Sequence, residues 1–167
     1  MSGAIQSVST SAEIEQVATL ARYIWTEHYV PIIGSTQVEY MLDRFQSAAA
    51  IKQQINDGHE YFLIRVTPDD AVVGYMDVVT QPDASKLFLS KLYVSVGARG
   101  NGLGRQLFDH ARTLARQRNL ATLWLTVNKF NPSLQTYLRW GMVNTGSIVK
   151  DIGNGFVMDD YQLEISV

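Results

Sequence analysis

The segment Arg99-Gly100-Asn101-Gly102-Leu103-Gly104-Arg105 alternates glycine with other residues between two arginines. Glycine lets the backbone turn left-handed and lets a ligand come close to main-chain amides. Where such a loop opens a helix, the first helical amides point outward without partners and carry the positive end of the helix dipole. Phosphate oxygens suit that position. Side chains reinforce it, because residues 99–118 hold five basic residues and one acidic residue, Asp109. Two familiar phosphate loops are spelled differently. A P-loop needs Gly-Lys-Ser/Thr after four spacers, and the dinucleotide fingerprint needs G-x-G-x-x-G near the first strand of a βαβ unit. Here the glycines fall at 100, 102 and 104, late in the chain.

Other candidates lie to either side. Asn131-Pro132 reads as a helix start, since asparagine caps free amides and proline at the first helical position loses no hydrogen bond. Tyr137, six residues on, falls in that helix. Trp25, Tyr29 and Tyr40 sit around the loop between the first two helices. His28, His59 and His110 are isolated and lack the spaced partners of a metal site, so no metal is expected. With no cysteine in 167 residues, a thiolate nucleophile, a disulfide and a cysteine-held metal are all excluded.

The elements that position these residues follow from periodicity. Thr10-Ser11-Ala12-Glu13 is a capping box, and Ile14, Val17, Ala18, Ala21, Ile24 and Trp25 then recur at helical spacing, until Pro31 and Gly34 interrupt the run. Thr36-Gln37-Val38-Glu39 repeats the capping box before a second helix, and a short helix is predicted over residues 48–57. Three β-rich runs, 61–66, 72–80 and 86–94, read as an antiparallel meander. A long helix over about 102–118 buries Leu103, Leu107, Ala111, Leu114 and Ala115. A buried strand over 121–127, a helix from Asn131 to Gly141 and two final strands, 143–150 and 156–165, complete the chain.

Arg99, Gly102 and Gly104 resemble motif A of the GNAT superfamily of N-acetyltransferases, Arg/Gln-x-x-Gly-x-Gly/Ala, and they stand between a strand ending Leu92-Tyr93-Val94 and a long helix. Asn131, Tyr137 and Gly141-Met142 resemble the second stretch of that family, with Met142 where Phe is usual. The resemblance covers roughly residues 61–165. It implies a mixed α/β fold, one domain over 1–167, with a central, mainly antiparallel sheet whose strands splay and are flanked by helices. It also implies acetyl-CoA as co-substrate, held by Leu92, Tyr93, Val94, Arg99, Gly100, Asn101, Gly102, Leu103, Gly104, Arg105, Asn131 and Tyr137. A main-chain N–H near Val94 would stabilise the oxyanion, and Tyr137 would protonate the departing thiolate. Relatives often place a glutamate in mid-strand as general base. Here that stretch is Leu89-Ser90-Lys91, so Ser90 stands in its place and the base is unassigned. Trp25, Tyr29 and Tyr40 resemble the acceptor-pocket wall.

Charge and layout bear on the acceptor. Residues 1–83 carry eleven acidic and four basic side chains, and residues 84–167 carry five acidic and ten basic. An anionic ligand suits the second half, while Glu27, Glu39, Asp43 and Asp77 in the first would attract a cation. A long second helix, Tyr137 followed by Gly141, and Thr145-Gly146 make the layout similar to bacterial polyamine N-acetyltransferases. The expected partner is a small-molecule amine, with a protein or peptide amine as the alternative and the choice between monomer and homodimer open. Nucleic acid is not expected, because basic clusters with interleaved aromatics are missing. Neither a signal peptide nor a long apolar span is legible, so a cytoplasmic location without membrane contact is expected. Two readings of another class remain: an acyl-CoA-binding module without turnover, and a nucleotide-binding module.

Overall fold

The computed structural model describes residues 2–167. In chain order its elements are β1 (Ala4–Ser7), α1 (Ser11–Ile33), α2 (Ser35–Met41), a π-helical turn (Leu42–Gln46), α3 (Ala48–Asn56), β2 (Glu60–Val66), β3 (Ala71–Gln81) and β4 (Lys86–Val94). There follow α4 (Leu103–Gln117), β5 (Thr122–Asn128), α5 (Ser133–Arg139), β6 (Val143–Gly153) and β7 (Phe156–Ser166).

Helix α1 begins at the expected capping box. The Glu13 N–H donates to Thr10 Oγ1 at 3.2 Å and the Thr10 N–H donates to Glu13 Oε1 at 2.9 Å. Pro31 does not end it. The proline sits in the last turn, where its missing N–H forfeits only one bond, and the Gly34 N–H still reaches Val30 O at 2.9 Å. The second capping box is absent. Helix α2 starts two residues earlier, with Gly34 rather than Thr36 preceding its first residue, and Glu39 instead pairs with Arg22 at 2.9 Å. The long second helix is absent too, because the π turn and the Ser47 cap of α3 break it.

Among the described residues seven strands form one sheet in the order β1-β2-β3-β4-β5-β7-β6. All pairings are antiparallel except β4 with β5. Strand β1 escaped the sequence reading because its four residues, AIQS, show no useful alternation; β2 supplies its register. Helices α4 and α5 cover one face, over a core that includes Leu87, Leu103, Phe108 and Leu123. Helices α1 and α3 cover the other, over Val17, Ile24, Ile51, Leu63 and Tyr75. Hairpin β6–β7 turns at Asn154-Gly155, both at positive φ, the pairing that a two-residue hairpin favours.

Candidate active site

A bulge in β4 makes the cleft. Asp77 of β3 faces Lys91 and the next residue, Val78, faces Leu89, so Ser90 is the extra residue. The side-chain parity flips there. Leu87 and Leu89 point into the α4-side core before it, whereas Leu92 and Val94 do so after it, and Tyr93 packs on the α1 side. Strands β4 and β5 pair in parallel only at Lys86↔Thr122, Leu87↔Leu123 and Phe88↔Trp124. Beyond that they part, leaving one edge of residues 89–94 and of 125–128 without a neighbouring strand. A cavity of about 640 Å³ opens between them.

The α4 side of the cavity is the glycine loop. Gly100 and Gly102 have φ of +77° and +78°, and Gly102 is the residue preceding α4. No side chain caps that helix, and among the described residues no acceptor meets the N–H groups of residues 100–105. A Cβ on Gly104 would lie 3.5 Å from Trp140 and 3.7 Å from Val94, so its bare face looks into the cleft. Arg99 donates through Nε to Val94 O at 3.0 Å, and Arg105 pairs with Asp109 at 3.0 Å while lying over Trp140. Leu92, Tyr93, Val94, Arg99, Gly100, Gly102, Leu103, Gly104 and Arg105 all line the cavity. Asn101 does not: its amide donates back to Ala98 O and Arg99 O and shapes the loop from behind.

Asn131 joins the two sides. Its Oδ1 accepts the Ser133 N–H at 2.9 Å, so it still satisfies the first amide of α5, although the helix starts one residue later than expected, with Pro132 rather than Asn131 immediately before it. Its Nδ2 donates to the Tyr29 hydroxyl at 2.9 Å, and His28 Nε2 lies 3.1 Å from Oδ1. Because that oxygen can only accept, Nε2 carries the imidazole proton in this arrangement. His28 is therefore not isolated, as the sequence suggested, but part of the cavity wall. Nor is His59, whose Nδ1 lies 2.7 Å from the buried Asp77 carboxylate. Tyr137 also lines the cavity, packed near Phe108 and Trp140. Burial pushes its phenol well up, so it stays protonated throughout the physiological range.

On the α1 side, Trp25 and Tyr29 stack at 4.3 Å and line the cavity, and burial pushes Tyr29 up to about 12. Tyr40 does not reach it. Its hydroxyl donates to Ile152 O at 2.7 Å and its ring lies beside Phe156, which ties α2 to the β6–β7 hairpin. Lys91 borders the cavity, but its ammonium donates to Phe45 O, Gln54 Oε1 and the Tyr61 hydroxyl. Burial lowers that ammonium to about 8 against the opposing pull of Asp77.

The acidic residues singled out as a cation lure, Glu27, Glu39, Asp43 and Asp77, do not line the cavity; Asp160 does. Asp160 lies on β7, opposite Asn128, and is 3% exposed. Burial pushes its carboxyl up to about 6, partly offset by the Thr126 hydroxyl and Lys129. The signal for it was present. Phe156, Met158 and Asp160 share one strand parity, which places a carboxylate on an inward face.

Residues 17–142 match the Acetyltransferase (GNAT) family. A streptothricin acetyltransferase from Streptomyces lavendulae is 32% identical over 91 residues, 54% of this chain and 48% of that protein, so the match spans about half the length of that curated relative. The PaiA N-acetyltransferase from Thermoplasma acidophilum, solved with coenzyme A, superposes over 100% of both chains with a TM-score of 0.75 at 19% identity. Mutant forms of the spermidine/spermine N-acetyltransferase SpeG from Vibrio cholerae superpose over 99% of this chain and 95% of theirs, with a TM-score of 0.67 at 17% identity. At such identities the superpositions establish the fold, a mixed α/β sheet flanked by helices.

Proposed function

The chain belongs to the acetyltransferase (GNAT) family, and on that premise we propose that it transfers the acetyl group of acetyl-CoA to a primary amine of a small cationic molecule. One observation carries this reading: the amides of residues 100–105 have no partner, and Gly100 and residues 102–105 line the same cavity as the free edge of β4. The amides and the α4 dipole suit a pyrophosphate. The strand edge suits an extended arm that carries amides, as an added strand would. Acetyl-CoA supplies the activated thioester; the chain supplies position, charge and protons. Residues 92–94 and the loop hold the cofactor, with Asn131 fixing the start of α5 beside it. Main-chain N–H near Val94 meets the developing oxyanion, and Tyr137, held protonated by burial, donates to the departing thiolate.

Trp25 and Tyr29 support a cationic acceptor, since aromatic faces attract ammonium groups. Spermidine and streptothricin, named on the structural and sequence relatives, are both candidates to be tried. The test is release of free CoA from acetyl-CoA across polyamines, streptothricin, amino acids and peptides. The proposal expects turnover with cationic small amines. A preference for peptide amines would move the acceptor class, and tight acetyl-CoA binding without release by any amine would identify a binding module.

A further inference from the structure

We infer that the carboxylate of Asp160 receives the acceptor amine and takes a proton from it. The inference rests on the reading of the chain as an amine acetyltransferase and supplies the group that Ser90 cannot. Among the described residues lining the cavity, Asp160 is the one carboxylate. It is 3% exposed, and its Oδ1 is buried without a hydrogen-bond partner. Leaving a buried carboxylate oxygen unpartnered is costly, and a ligand that donates N–H to it recovers that cost. The carboxylate shares the face of β7 that carries Met158 and Phe156, the α1 side, opposite the glycine loop. An amine held there approaches the cleft from the side away from the phosphate cradle.

Its surroundings fit a proton acceptor. The Thr126 hydroxyl and the Lys129 ammonium favour the charged form, Asp159 on the same strand opposes it, and Lys129 and Asp159 pair with each other at 2.9 Å. From α1 come Tyr29, a neutral phenol, and His28, engaged with Asn131. From β6 the facing residue is Ile148, which is uncharged. Burial outweighs the rest and pushes the carboxyl up to about 6, nearer the value useful in a base at neutral pH.

The steps balance. The incoming R–NH3+ gives one proton to Asp160, breaking N–H and forming O–H. The freed nitrogen lone pair forms the C–N bond to the thioester carbon. The C–S bond breaks with its electron pair on sulfur, which takes the Tyr137 proton. The second nitrogen proton restores the phenol as the amide forms, and Asp160 releases its own proton to solvent. One proton leaves for each amine acetylated.

Asp160→Asn keeps the shape and removes the charge. With spermidine as acceptor, kcat/KM is expected to fall about 10²–10⁴-fold while acetyl-CoA affinity, read by calorimetry, stays within about twofold. Wild-type kcat/KM is expected to rise with pH through about 6, and that limb should vanish in the variant. Imidazole is the other side chain in the cavity of a type that titrates in this range, so His28→Gln is run alongside and should keep the limb. An Asp160→Asn protein with wild-type kcat/KM and an unchanged limb overturns the inference. If that variant does not fold, loss of the limb in His28→Gln overturns it instead, and its retention there supports it. If the wild type acetylates no amine, the functional reading fails, and calorimetry with spermidine alone decides the inference: equal affinity in the wild type and Asp160→Asn sinks it, and a loss in the variant upholds it.

Discussion

On the α4 side of the cleft the groups offered to a ligand are main-chain amides of residues 100–105 and the free edge of β4, whereas on the α1 side they are side chains from α1, β5 and β7. The first surface depends on backbone path, so it is sensitive at a few glycines and indifferent to most side chains around them. The second depends on residues brought together from distant parts of the chain, as His28 and Asn131 are, and each of its side chains matters by itself. A site that reads one constant cofactor can be built from backbone. A site that must choose an acceptor needs replaceable side chains.

The sharpest test of that division is Tyr137, which stands on α5 at the cavity wall. Tyr137→Phe keeps the ring and its packing and removes the proton, so kcat should fall about 10²–10⁴-fold with acetyl-CoA affinity unchanged. Single-turnover kinetics read the chemical step even where product release limits kcat, and wild-type single-turnover rates would reduce Tyr137 to packing.

Next come the glycines. Gly104 has ordinary space for a Cβ, so Gly104→Val should fold yet fill the cradle, weakening acetyl-CoA by about 10²-fold or more, equivalent to roughly 3 kcal/mol. Gly102, at φ +78°, should instead lose stability on substitution, about 1–2 kcal/mol for a residue with a Cβ. A titration of acetyl-CoA and a thermal melt on each variant separate the two. Equal effects at both positions would mean that the loop acts by shape alone.

Asp160→Asn should lower activity and yet raise stability. The folded-state value of about 6 lies above that of an exposed aspartate, so the folded protein holds this proton more tightly than the unfolded chain does. That advantage is complete below about pH 4 and lost as the pH rises through about 6, where a buried charge remains. The variant should therefore melt a few degrees higher than wild type at pH 7.5, and the gain should disappear at low pH. A lower melting temperature at pH 7.5 would show that the carboxylate is needed for packing.

The smallest effect belongs to Tyr40, which lies outside the cleft. Tyr40→Phe should cost about 1 kcal/mol through the lost bond to Ile152 O, and leave KM for the amine unchanged. A raised KM would return Tyr40 to the acceptor wall.

The same division explains what the sequence revealed. The α4 side was legible because its residues are contiguous and glycine carries meaning at a loop-to-helix junction; Arg99, Gly102 and Gly104 stand within six residues. The splay was implied by the family resemblance alone and not by local pattern, since it depends on a one-residue bulge at Ser90 and on where β5 leaves β4. Strand β1 and the π turn are fixed by their neighbours rather than by local pattern. On the α1 side, Trp25, Tyr29 and Tyr40 were singled out by their place around the loop between the first two helices; Trp25 and Tyr29 line the cavity, whereas the Tyr40 hydroxyl bonds to the hairpin. Asp160 was hidden by charge counting, because it lies in the basic half of the chain.

The claim that one side of the cleft binds through backbone and the other through side chains is tested most directly by amide hydrogen exchange with and without acetyl-CoA. The account predicts that acetyl-CoA slows exchange at residues 100–105 and along the free edge of β4, and leaves β7 around Asp160 unchanged. Protection concentrated on β7, with the amides of residues 100–105 exchanging as freely as before, would contradict it.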